Sequence, residues 1–67
     1  MQTVDLHGYR HSEVADIIIE CCMMWDTPFI VITGNSLAMK RLVRDAAKQF
    51  NLNVRDSVNN PGRVVVG

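Results

Sequence analysis

At 67 residues the chain makes one domain, residues 1–67, and a small one; such a chain buries only about 60% of its unfolded surface, so its stability is modest. A composition of 48% hydrophobic and 21% charged residues excludes a disordered or low-complexity chain. Formal net charge is zero, which removes any global pull toward nucleic acid or an anionic membrane, so such binding has to come from a local patch. The longest unbroken apolar run, Cys21 to Trp25, is too short to span a bilayer. The opening Met-Gln-Thr-Val-Asp lacks the basic and apolar regions of a signal peptide. The expected location is the cytoplasm, with no membrane partner.

Residues 2–7 read as a first strand. Alternation turns Val4 and Leu6 to one face and Asp5 and His7 to the other. Gly8 permits the positive φ of a sharp exit. A carboxylate beside an imidazole at a strand end can serve as an acid/base pair, and it is equally an ordinary surface arrangement. Tyr9 to Ser12 then form a turn, with Ser12 as N-cap and Glu13 in the first helical turn. Helix one runs to about Trp25 on a core face of Val14, Ile17, Ile18, Cys21 and Trp25. Ile19, Cys22 and Met23 widen that apolar arc, which suits either packing against a neighbouring helix or weak self-association through helix one.

Asp26-Thr27-Pro28 ends the helix. Phe29 to Thr33 is apolar and β-branched, the pattern of a central strand buried on both faces or nearly so. Gly34-Asn35-Ser36 is the next turn, with Ser36 the N-cap of a helix over about 37–50. Met39, Leu42, Val43, Ala46, Ala47 and Phe50 recur at helical spacing on its core face, and Lys40, Arg41, Arg44 and Lys48 fill the other. Leu52 to Arg55 alternates as a third strand. Ser57 to Gly62 carries Asn-Asn-Pro-Gly, a turn signature, and Arg63 to Val66 closes a hairpin. The two cysteines, Cys21 and Cys22, are adjacent on a helix, which suits neither a disulfide nor a zinc site; they read as small hydrophobes.

The order β-α-β-α-β-β implies parallel pairs with right-handed crossovers. With both helices on one face it makes an α/β two-layer sandwich on a four-stranded mixed sheet. The carboxyl ends of strands one, two and three then share one edge, where open parallel sheets bind ligands. That edge gathers His7-Gly8, Thr33 to Ser36, and the turn before Arg63.

Asp5-Leu6-His7-Gly8, followed by Glu13-Val14 at a helix start, resembles the Asp-Leu-His-Gly motif that opens Smr (small MutS-related) domains. Ile30-Val31-Ile32-Thr33-Gly34 resembles that family's second motif, a strand ending in Thr-Gly-x-Gly or His-Gly-x-Gly. Pro61-Gly62-Arg63-Val64-Val65-Val66 resembles its closing glycine-rich turn and strand. The resemblance spans nearly the whole chain. It implies sheet order 1-2-4-3 with strand four antiparallel, nucleic-acid binding, and in several members nuclease activity on RNA or DNA. Ser36 stands where the second motif has its second glycine, and the segment after it is shorter and lacks the family's His-Ser element.

Set beside that resemblance, the residues describe a phosphodiester site. The turn Thr33-Gly34-Asn35-Ser36 opens a helix, whose free N–H groups and dipole favour a phosphate; Lys40 and Arg41 lie one turn on. His7 is the expected general acid or base, and Asp5 its orienting or charge-holding partner. Arg10, Lys40 or Arg63 would offset the charge of the pentavalent state. Gly8 completes the candidate binding set. For RNA the 2′-hydroxyl can act as nucleophile without a metal. No cofactor is expected; one Asp and one His do not make a metal site, and divalent-metal dependence is left open with Asp5 as one ligand. Three classes follow: a nucleic-acid-binding nuclease, a binding module without catalysis, and a small protein-interaction domain using Ile19, Cys22 and Met23.

Overall fold

The computed structural model describes residues 1–67. The elements are β1 (Thr3–Asp5), α1 (His11–Met24), β2 (Phe29–Ile32), α2 (Leu37–Lys48), β3 (Val54–Ser57) and β4 (Asn60–Val66). They build a four-stranded mixed sheet in the order β1-β2-β4-β3. β1 runs parallel to β2, and β4 runs antiparallel to both β2 and β3. The carboxyl ends of β1, β2 and β3 therefore lie on one edge, as the element order requires.

Alternation along the strands sets the layers. Val4, Val31 and Val64 share one register row, and Phe29, Val66 and Val54 another. These side chains face the core with Val14, Ile18 and Cys21 of α1 and Met39, Val43, Ala46 and Ala47 of α2. The two helices pack against each other over this face. Trp25 meets Phe29 edge to face, with ring centroids 5.4 Å apart, and closes one end of the core. The opposite sheet face has no covering layer. Ile30, Ile32 and Val65 lie there half-buried, so β2 is buried on one face only.

Several boundaries differ from the pattern-based expectation. β1 stops at Asp5, because the Asp5 carboxylate accepts the His7 backbone N–H at 2.9 Å and turns the chain out of the ladder. The alternation expected to set His7 beside Asp5 ends with Leu6, and His7 lies in a turn closed by Tyr9 N–H donating to the Leu6 carbonyl. Helix α1 begins one residue before Ser12. Its N-cap is Arg10, whose backbone N–H is taken by the Glu13 carboxylate at 2.9 Å. Helix α2 ends at Lys48; Asn51 adopts a left-handed φ of 56°, and Leu52 N–H returns to the Ala47 carbonyl. The hairpin turn is Val58-Asn59, and Asn60-Pro61-Gly62 belong to β4. Pro61 is accommodated because the β3–β4 register breaks beside it, between Asp56 and Ser57.

Candidate functional site

At the carboxyl edge of the sheet, Asp5 at the end of β1 and His7 and Gly8 from the β1–α1 connection meet Thr33 and Gly34 from the β2–α2 connection. With Leu6, Tyr9, Ile32 and Met39 they line a cleft of about 300 Å³. Local chemistry shapes both walls. Gly8, at φ 87°, occupies the third position of the Leu6–Tyr9 turn, which requires a positive φ. Gly34, at φ 66°, turns the chain out of β2. The N–H groups of Thr33 and Gly34 both donate to the Gly62 carbonyl, at 3.0 and 2.8 Å, tying this wall to the start of β4. Thr33 is buried, and its hydroxyl donates to the Gly34 carbonyl at 2.9 Å.

The expected phosphate cradle is changed by these bonds. Thr33 and Gly34 have spent their N–H groups on Gly62, and the Ser36 hydroxyl takes that of Met39 at 3.1 Å as the N-cap of α2. The donors left unbonded at this helix start are those of Asn35, Ser36, Leu37 and Ala38. Asp5 and His7 share the cleft, but the hydrogen bond between them runs to the His7 backbone. The imidazole forms neither a hydrogen bond nor an ion pair with the carboxylate.

The cations are divided among different surfaces, and none lines the cleft. Lys40 is held by Asp56 of β3 at 3.4 Å, its side chain only 12% exposed. Arg41 is exposed on α2 and borders a shallow hollow with Leu37, Ala38 and Arg44. Arg63 lies on the open sheet face in the register row Asp5–Ile32–Arg63, about 10 Å from Asp5 by two strand spacings. Its Nε is buried without a partner. Arg10 is exposed at the N-cap of α1.

Two side chains were not legible as site residues. Tyr9 follows the Gly8 turn, where it reads as a plain turn residue, yet it lines the cleft. Arg44 reads as one of several cations on a solvated helix face; only the fold groups it with Arg41 and the start of α2. Compared with known protein families, characterised proteins and solved structures, the chain matches none.

Elsewhere, Cys21 and Cys22 are free thiols. Burial pushes both above the ordinary thiol range, with Cys22 and Glu20 adding to the rise at Cys21. They are not activated nucleophiles. Ile19 and Cys22 pack against the core, leaving Met23 and Met24 as the exposed apolar groups at the end of α1. No three His, Cys, Asp or Glu side chains gather as a metal-binding group, and no helix is long and apolar enough to cross a membrane.

Proposed function

We propose that this chain is a nucleic-acid-binding domain of the Smr type, with a phosphodiester-cleaving site at Asp5 and His7. The observation that carries this reading is the convergence of Asp5, His7, Gly8, Thr33 and Gly34 on one cleft. These residues come from two separate segments, and each segment resembles a motif of that family.

In this reading His7, exposed at the cleft, exchanges a proton with the attacking or leaving oxygen. Asp5 holds the His7 turn through the backbone and lines the same cleft. Arg63, on the sheet row of Asp5, is the cation best situated to offset charge on the phosphate. Arg41, with the free N–H groups from Asn35 to Ala38, offers a second phosphate contact on α2.

The second reading, a binding module without catalysis, is favoured by the missing Asp5–imidazole bond and by Ser36 in place of the motif glycine. A panel of labelled single- and double-stranded RNA and DNA, with and without divalent metal, tests both. Cleavage together with salt-dependent binding supports the nuclease. Binding alone supports the module, and the absence of both overturns the proposal.

A further inference from the structure

Tyr9 stands apart from the other aromatic residues. Phe29 is fully buried, Trp25 packs edge to face against it, and Phe50 is half-buried below α2. Tyr9 alone is exposed, at 49%, and it does so on the wall of the cleft. Its hydroxyl has no hydrogen-bond partner in the chain, and its backbone is held by the Leu6–Tyr9 turn. The ring is thus presented on a fixed support without a structural task.

The cleft is lined by no Lys or Arg, so the phosphates of a bound strand meet cations only outside it, and the wall at Tyr9 is left for the base. What the cleft offers is an aromatic ring, the apolar Leu6, Ile32 and Met39, and the polar edges of His7 and Asp5. That combination suits an uncharged heterocycle with hydrogen-bonding edges. At about 300 Å³ the cleft lies at the small end of ligand pockets, large enough for one nucleotide unit.

From this geometry we infer that Tyr9 stacks on an unpaired nucleobase held in the cleft, so that the ligand of this site is single-stranded. The inference rests on the nucleic-acid reading above. Bases in a duplex are stacked on each other and cannot offer a face to the ring, whereas those of a single strand can. The spread of the cations agrees. Arg63 and Arg55 lie on the open sheet face and Arg41 and Arg44 on the helix layer, two sides of a domain whose extents are 26, 25 and 17 Å. A flexible strand crossing the edge at the cleft can reach both sides, whereas a duplex, with a persistence length of about 150 base pairs, would have to be sharply bent at a cost in energy to do so.

The test compares dissociation constants of the wild type, Tyr9→Ala and Tyr9→Phe for three probes: a short single-stranded oligonucleotide, the same backbone with abasic sites, and the matching duplex. Circular dichroism confirms that the variants fold. The wild type should prefer the single strand, and Tyr9→Ala should weaken that complex by roughly 5- to 100-fold, the range of one base–aromatic stack. Tyr9→Phe should bind as the wild type, and removing the bases should cost the wild type far more than it costs Tyr9→Ala. Normal single-strand binding by Tyr9→Ala, or a preference for duplex, overturns the inference and leaves the nucleic-acid reading standing. Absence of wild-type binding to every probe overturns both.

Discussion

Asp5 combines two tasks that substitution can separate. One carboxylate oxygen accepts the His7 N–H and shapes the turn, while the charge stands in the cleft beside His7. Asp5→Asn keeps an acceptor and removes the charge; Asp5→Ala removes both. The alanine variant should lose about 0.5–1 kcal/mol of stability, the low end for a hydrogen bond because this one is exposed. The asparagine variant should keep its melting temperature. If the domain is a nuclease, both should cleave more slowly, since each removes a carboxylate that shares the cleft with His7. His7→Ala should lower cleavage by roughly 10²–10⁴-fold while changing affinity little, because one imidazole adds little to an interface dominated by phosphate contacts elsewhere. Single-turnover cleavage rates set against binding constants separate these effects, and equal cleavage by wild type and His7→Ala would move the chemistry to another residue.

Lys40 shows why a cation on a helix cannot be assigned to a ligand from helical spacing alone. Spacing puts it on the polar face of α2, but the sheet brings Asp56 to it across the helix–strand boundary. Lys40→Glu should therefore cost stability, by less than about 1 kcal/mol for a pair whose carboxylate is exposed, and Asp56→Lys in the same chain should restore it. Arg41→Glu, with no ion-pair partner to lose, should leave stability unchanged and weaken nucleic-acid binding; thermal melts alongside titrations decide. Elements with strong local signals were legible: the apolar spacing of α2 and its Ser36 cap appear as read. The sheet order followed the family resemblance, because strand sequence does not encode a neighbour. The missed boundaries turn on tertiary or side-chain events: Glu13 capping Arg10, Asp5 diverting His7, and the register break that admits Pro61. Helix α1 also predicts a pH dependence. Its thiols are raised in the folded chain, so above the ordinary thiol value of 9.0 the unfolded state loses protons first. Stability should fall as pH rises through that range, and Cys21→Ala with Cys22→Ala should flatten the decline measured by denaturant unfolding.

Zero net charge conceals a division between the two helices. Helix α1 carries Glu13, Asp16 and Glu20 with no Lys or Arg, whereas α2 carries Lys40, Arg41, Arg44 and Lys48 against Asp45. The domain is an electric dipole, and its two poles should affect nucleic-acid binding differently. Arg41 is read as a phosphate ligand and Arg44 borders the same hollow, so reversing both should lower affinity and, on a single strand, flatten the dependence of log K on log salt by about 1.4 units, roughly 0.7 for each phosphate that is no longer neutralised. Asp16 and Glu20 are exposed and lie on the other helix, where they act only through the field. Asp16→Asn with Glu20→Gln removes two negative charges from a chain of zero net charge, leaving it at a formal +2. This variant should bind more tightly at low salt, where the Debye length is about 30 Å and exceeds the largest dimension of the domain, 26 Å. The gain should disappear toward 1 M salt, where screening is complete within about 3 Å. Affinities of the three proteins for one single-stranded oligonucleotide, titrated across that salt range, separate direct phosphate binding from the field. A salt slope left unchanged by the double arginine reversal would remove α2 from the interface and leave Arg10, Arg55 and Arg63 to hold the phosphates.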